Sequence, residues 1–285
     1  MATLKSLTVN DTGFIKLPSG TIAQRPSSPS NNMMRFNTDL GCNEMYSNGN
    51  WMDQLTGGPA VIKNGLVLHL DAGAPRSYPG SGTLWRDLSG SGLNASGTAA
   101  NITSSGAISG ASWTTSSTSI LNTDTHSIFF MLKLNSSGTY PEGYTGSWEK
   151  IFTYAPAGTD RSPGVWRYPS ERKIHWRYDP GNSDIDFSST ARGLYPAPGT
   201  PFALNTWYYI GVTKNGATAT AYVNGQSLGS STVSNPKTSG NATVIINESY
   251  TSQLNNINSV VVYNRVLTAT EVLHNFNSIK SRFGL

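Results

Sequence analysis

The feature that most constrains this chain is the recurrence of short apolar runs cut by Asn-Gly pairs, at 48–49, 215–216 and 224–225. An Asn-Gly pair supplies the two positive-φ positions of a type I′ turn, whose twist joins neighbouring antiparallel strands. Around Asn215-Gly216 this predicts Lys214 opposite Ala217, Val212 opposite Ala219, Ile210 opposite Ala221 and Tyr208 opposite Val223. That face is apolar and is expected to be core. The other face carries Trp207, Tyr209, Thr213, Thr218, Thr220 and Tyr222, with Tyr209 opposite Tyr222, and could meet solvent, a partner or a second sheet. Composition agrees: 29 Gly, 13 Tyr and 7 Trp, with only 13% charged residues, describe a turn-rich all-β protein and exclude a helical bundle. A chain of 285 residues can bury one large core or two modest ones.

Further strands are expected at 66–71, 128–134, 207–213, 218–224, 243–247 and 259–263. The Ser/Thr/Gly-rich stretch 90–125 reads as short polar strands and loops, including Ala111-Ser-Trp113. One helix stands out near the C-terminus. Thr268 with Glu271 forms a capping box, Leu267 and Val272 occupy the staple positions, and Val272, Phe276 and Ile279 make an apolar stripe. Residues 1–56 are punctuated by Pro and Ser and carry too few apolar residues for a core, so an extended attachment or assembly arm is expected, with a hairpin near 44–52 that sets Tyr46 opposite Trp51. Residues 57–64 form a linker, and the main domain runs from 65 to 285.

The longest apolar run, 128–132, is far short of the ~20 residues of a membrane helix, so no membrane insertion is expected. The start lacks a charged leader and apolar stretch, so secretion is not expected either. Cys42 has no partner for an intrachain disulfide. The net charge of +4 comes from scattered Lys and Arg, which do not mark a nucleic-acid footprint.

Gly65-Leu-Val-Leu-His-Leu-Asp71, Trp85-Arg-Asp-Leu-Ser-Gly-Ser-Gly-Leu-Asn94, Asn205-Thr-Trp-Tyr-Tyr-Ile-Gly-Val-Thr213, Ala221-Tyr-Val-Asn-Gly225 and Val262-Tyr-Asn-Arg-Val-Leu-Thr-Ala-Thr-Glu271 occur in this order. Together they resemble the laminin-G-like, concanavalin A-like jelly-roll domain, which implies two packed antiparallel sheets. The arm has a resemblance of its own. Leu17-Pro-Ser-Gly-Thr-Ile-Ala-Gln-Arg-Pro26, Met34-Arg-Phe-Asn-Thr38 and Glu44-Met-Tyr-Ser-Asn-Gly-Asn-Trp51 are similar to a segment of tailed-bacteriophage fibre and other virion proteins.

The jelly roll also hosts glucanases that use paired carboxylates, in a Glu, one residue, Asp, then Glu pattern. The nearest run here, Asp184 to Ser189, has Asp184 and Asp186 but Ser in place of the acid, so an enzyme is not expected. The four histidines lack metal-ligand spacing, so no cofactor and no zinc site are expected. Calcium is implied only by the resemblance, with Asp71, Asp87 and Asn94 as ligands, and these residues read better as turn formers. The richest patch is 165–178. With 169–172 as a hairpin loop, Trp166, Tyr168, Lys173, His175 and Arg177 share one face, opposite Val165, Arg167, Ile174, Trp176 and Tyr178. Rings beside cations suit a glycan, particularly an anionic one, or a subunit contact.

These readings lead to an expectation of a non-enzymatic phage virion protein, a head decoration or fibre module assembled in the host cytoplasm. Its arm would attach through Phe36, Tyr46 and Trp51 to other virion proteins or to its own copies, as a trimer by analogy with fibres. The sandwich would face a host-surface glycan. A glycan-processing hydrolase and a free soluble lectin are the rivals.

Overall fold

The structure is a computed structural model describing residues 13–55, 59–97, 101–102, 108–109, 112–135, 149–154, 162–168, 172–178, 193–197, 199–233, 240–248 and 255–285. The N-terminal part holds β1 (Ser19–Gly20), β2 (Met34–Asn37), β3 (Cys42–Ser47) and β4 (Asn50–Asp53). The main domain begins with β5 (Leu66–Asp71), β6 (Leu84–Trp85), β7 (Ala95–Gly97), β8 (Asn101–Ile102), β9 (Ile108–Ser109) and β10 (Trp113–Thr115). It continues with β11 (Thr125–Leu134), β12 (Glu149–Tyr154), β13 (Gly164–Arg167), β14 (Ile174–Arg177) and β15 (Trp207–Asn215). Then follow β16 (Thr218–Val223), β17 (Gln226–Thr232), β18 (Val244–Ile246), β19 (Asn255–Tyr263) and α1 (Ala269–Ile279).

Two sheets form the sandwich. One runs β14-β13-β12-β18-β10-β7-β6, and the other runs β17-β16-β15-β11-β19-β9-β8 with β5 also on β19. From the second sheet, Ile128, Phe130, Leu132, Ile210, Val212, Val260 and Val262 point inward to meet Trp113, Phe152, Val165, Trp176, Val244 and Ile246 of the first. The Phe130 ring bridges the layers, 5.3 Å from Phe152 and 5.6 Å from Trp176. Trp85 and Trp113 are fully buried and meet edge-on at 5.7 Å. The polar stretch 90–125 thus supplies a core anchor, Trp113, between its loops.

The turn after β15 differs in detail from the sequence expectation. Asn215 pairs with Thr218, so the turn residues are Gly216 and Ala217, and Ile210 faces Val223 instead of Ala221. Gly216 at φ +56 occupies the first central position, the place a type II′ turn reserves for glycine. The slip moves each strand by one residue and so preserves which residues share a face. Ile210, Val212, Ala219, Ala221 and Val223 remain core. Tyr222 now pairs with Gly211, not Tyr209. The turn at Asn224-Gly225 and the hairpin at Asn48-Gly49, with Tyr46 opposite Trp51, form as expected.

The centre of the second sheet's outer face is covered, while its β16–β17 edge, with Thr218, stays exposed. Phe129, Met131, Tyr209, Tyr222, Val261 and Tyr263 pack beneath α1, whose Val272, Phe276 and Ile279 complete a second core. Thr268 caps α1 through the Glu271 amide, and the Glu271 side chain accepts from the Thr268 amide. Leu40, Ala60 and Ile62 join the same core, so residues 59–63, expected within a linker, are a buried strap. Asn275 fixes the strap by accepting from the Ile62 amide at 2.9 Å and donating to the Tyr263 hydroxyl at 2.9 Å. The His274 ring donates to the Ala60 carbonyl at 2.9 Å. The arm is therefore docked on the domain, and its strands form a small sheet ordered β1-β2-β3-β4.

Gly211 shows how tightly the second core is built. It pairs with Phe129, whose ring stacks on Tyr209 at 5.2 Å and 9°, over the space a side chain would fill. A Cβ at Gly211 would lie 2.2 Å from that ring and 2.3 Å from the Ile128 carbonyl oxygen. Gly211→Ala is expected to lower unfolding free energy by about 1–3 kcal/mol, the usual cost of overpacking. Urea unfolding measures it, and an unchanged midpoint would contradict this packing.

Candidate functional site

The sequence-selected patch forms β13 and β14, with Trp166 opposite His175, Val165 opposite Trp176 and Gly164 opposite Arg177. Val165, Ile174 and Trp176 are completely buried in the sandwich core, which turns Trp166, Tyr168, Lys173, His175 and Arg177 to the outer face. The site therefore stands on a rigid base. The Lys173 ammonium lies 4.0 Å from the Tyr168 ring centroid and 5.9 Å from that of Tyr195. His175 meets the Tyr168 ring edge-on at 5.3 Å and the Trp166 ring at 5.5 Å, and its Nδ1 is 3.3 Å from the Tyr168 hydroxyl. Trp166, Lys173, His175 and Arg177 are each only 4–5% exposed. The accessible part of the cluster is its hairpin end, where Tyr168, Arg172 and Pro196 are half-buried. Of the expected hairpin loop, residues 169–171 lie outside the described residues.

Strand pairing extends this face across all strands of the sheet. Arg177, Gly164, Thr153, Ile245, Thr114, Ser96 and Leu84 fall in one row. Its far end is open: Thr114 and Ile245 are half-buried, and Ser96 and Leu84 exposed. The shelf thus passes from cations and rings at one edge to small hydroxyl and apolar groups at the other.

Inside the sandwich, behind the cluster, sits a polar group that the sequence reading missed. The His126 Nε2 and the Tyr178 hydroxyl are 2.8 Å apart. The fully buried Lys214 donates to the Asp124 carbonyl at 3.1 Å and lies 5.4 Å from the Tyr178 ring. His126 and Lys214 sit on paired strands, so a register calculation across β11 and β15 would have been needed to find them.

The arm candidates do not come together. Tyr46 and Trp51 pack at 5.4 Å on one face of the small sheet, with the Arg25 guanidinium 5.6 Å over Trp51. Phe36 lies on the other face and is 39% exposed.

The residues considered for calcium have other partners. Asp71 is buried and accepts both arms of the Arg282 guanidinium, at 2.7 and 2.8 Å. Burial alone would raise its pKa, but the Arg282 charge and hydrogen bonds outweigh it and hold the carboxyl below the usual range. The Asp87 carboxylate accepts from Ser89, Ser91 and the Gly92 and His69 amides, while Asn94 accepts from the Asp87 amide. Among the described residues no three His, Cys, Asp or Glu side chains cluster as metal ligands. Burial, with neighbouring carboxylates, pushes the Cys42 thiol up to about 11, which suppresses its thiolate. Asp184 and Asp186 lie outside the described residues. No helix among those described is long and apolar enough to cross a membrane.

Residues 109–273, more than half of the chain, match the sequence model of the concanavalin A-like lectin/glucanases superfamily. The chain belongs to this superfamily. No curated protein matches it in sequence. Among solved structures, Trypanosoma rangeli sialidase is similar with a TM-score of 0.51 at 16% identity, over 76% of this chain and 33% of the sialidase. A mutant of that enzyme displaying trans-sialidase activity aligns with a TM-score of 0.53 at 16% identity, over 78% and 34% of the two chains. The binding domain of Paraclostridial Mosquitocidal Protein 1 aligns with a TM-score of 0.54 at 17% identity, over 76% and 52%. The chain spans about a third of the length of the sialidases. At these identities the likeness is one of fold.

The comparison corrects the expectation of a non-enzyme. This superfamily member shares its fold with chains of sialidases as well as with a toxin binding domain. The missing Glu-x-Asp pattern is the signature of one glucanase arrangement and does not exclude catalysis from a shared fold.

Two buried histidines make stability depend on pH. Burial lowers His69 to about 4, and burial with the nearby Lys214 charge lowers His126 to about 3. Below the unfolded value of about 6.5, the unfolded chain takes up protons that the folded histidines refuse. Stability is therefore expected to be fully present above pH 6.5 and to fall as the pH drops toward 4. His126→Gln should reduce the proton uptake of unfolding in that window by about one. Denaturant unfolding at several pH values measures this slope, and an unchanged slope would contradict the buried neutral state.

Proposed function

We propose that the chain is a glycan-recognition module carried on a tailed-phage particle, with the outer face of the β13–β14 sheet turned to an acidic glycan. The observation that carries the glycan reading is the convergence of Trp166, Tyr168, Lys173 and His175 on one face of a rigid hairpin, with Arg172 half-buried at its open end. A ring offers its face to a sugar's C–H groups, and adjacent cations favour a carboxylate or sulfate. The 4–5% exposure of the deeper side chains makes them a support for Tyr168 and the hairpin end, where the ligand makes contact. Superfamily membership fits a lectin-like role. The virion location is supported by the likeness of residues 17–51 to phage virion segments, and the small N-terminal sheet provides the attachment.

The test is binding of the full chain to sialylated, sulfated and neutral oligosaccharides at matched ionic strength. Acidic glycans should bind, weakening as salt rises, and Tyr168→Ala and Arg172→Ala should each weaken binding about tenfold, roughly 1.4 kcal/mol. Equal binding of neutral glycans, or variants that bind like the wild type, would contradict the assignment.

A further inference from the structure

Beside β1 and β2 of the small N-terminal sheet lies a groove of about 350 Å³. Pro18, Pro26, Met33 and Met34 form its exposed rim, while Arg35 and Trp51, 7% and 8% exposed, form its floor. Arg35 and Trp51 share one face of the sheet: Arg35 stands opposite Glu44 on β3, and Tyr46, two residues along β3, stands opposite Trp51 on β4. Arg35 is the one charged residue of the groove wall. Among the described residues its guanidinium makes a single hydrogen bond, from Nη2 to the Thr21 carbonyl at 3.0 Å, and its buried Nε makes none. The Glu44 carboxylate stands 3.5 Å from that Nε, but its oxygens are taken by the Arg25 guanidinium and by the Asn37 side-chain amide at 3.0 Å. Asp53, the other acid on this face, pairs with Lys63 at 2.8 Å. Two guanidinium groups thus share the Glu44 carboxylate, and one positive charge at the groove is unmatched. Gly20 leaves the room that Arg35 crosses, since a Cβ there would lie 2.7 Å from Arg35 Nη2.

We infer that this groove binds a small organic monoanion, an aromatic or aliphatic body bearing one carboxylate, with the carboxylate on Arg35 and the body against Trp51. The groove and the glycan face lie on different sheets, and neither depends on the other. Its volume is that of a small-molecule site, and apolar walls converging on one charged donor are the usual build of such a site. A guanidinium offers a carboxylate two parallel N–H donors. One unmatched cation suits one negative charge, whereas a phosphate would bring a second charge into the groove without a partner. The walls also disfavour a sugar. The prolines have no donor, the methionine sulfurs accept weakly, and the Gln24 side-chain oxygen is spent on the Thr21 amide at 2.9 Å, which leaves Ser19 as the one hydroxyl. Most hydroxyls of a bound glycan would lose water there and gain nothing. An apolar ring gives up no hydrogen bond, packs on Trp51 and is followed by the adaptable methionine side chains.

The experiment is calorimetric titration of the full chain with 3-phenylpropionate, with its uncharged counterpart 3-phenylpropanamide, and with glucuronate as a polar carboxylate. The 3-phenylpropionate should bind with a dissociation constant of about 1 mM or lower, and the other two at least about tenfold more weakly. Met33→Glu puts a negative charge on the exposed rim and should weaken the carboxylate about fivefold while leaving the amide unchanged. Arg35→Gln should abolish the preference for carboxylate over amide. Thermal unfolding reports whether that buried variant folds, and Met33→Glu carries the test if it does not. Hydrogen exchange in the presence of 3-phenylpropionate should slow at the amides of 19–25 and 33–36. Amide or glucuronate bound as tightly as 3-phenylpropionate, no saturation in the millimolar range, Met33→Glu binding like the wild type, or protection at the β13–β14 hairpin in place of these amides would each overturn the inference. Binding of acidic oligosaccharides is read at the other sheet, so either site can fail while the other stands.

Discussion

Everything in this structure is arranged around a strand that is buried on both faces. β11 sends Ile128, Phe130 and Leu132 into the sandwich and Phe129 and Met131 out of it, and all five are at most 2% exposed. A sheet whose centre is apolar on both sides cannot end at solvent, so a second layer is obligatory. α1 and the strap at 59–63 supply it. That requirement links the N-terminal strap, the C-terminal helix and the central strand into one body. The other sheet carries no such helix among the described residues.

The ion pair of Asp71 with Arg282 serves the same closure. The carboxylate is buried at the end of β5, and the guanidinium comes from the segment after α1, also reaching the Asn258 side chain at 3.1 Å. Removing Arg282 would leave a buried unpaired charge, a loss of the order of 3–5 kcal/mol. The clamp thus pins the chain's last turn across β5 and β19, while Phe283 packs on Trp207 at 4.7 Å.

Much of the fold was legible because local rules agree with the global one. The strand at 66–71, the capping box at Thr268 and the type I′ turn at Asn48-Gly49 each follow from short-range chemistry. The slip at Gly216 shows the limit, since one glycine permits two adjacent turns and only the surrounding pairing selects between them. For the site, alternation correctly separated Trp166, Lys173 and His175 from Val165, Ile174 and Trp176. It could not reveal how deeply that outer face is buried. Nor could it reveal Lys214 beside Tyr178, Asn275 beneath the strap or Asp71 with Arg282, because those partners are distant in sequence and meet only through tertiary packing.

The account's central claim is that recognition occurs at the open end of the β13–β14 hairpin, supported by the buried rings behind it. Hydrogen–deuterium exchange of the full chain, with and without a sialylated oligosaccharide, tests it most directly. The account predicts slowed exchange at the amides of 164–168 and 172–177, with the 87–94 loop and the small N-terminal sheet unchanged. Protection confined to either of those regions, with the hairpin unaffected, would contradict it.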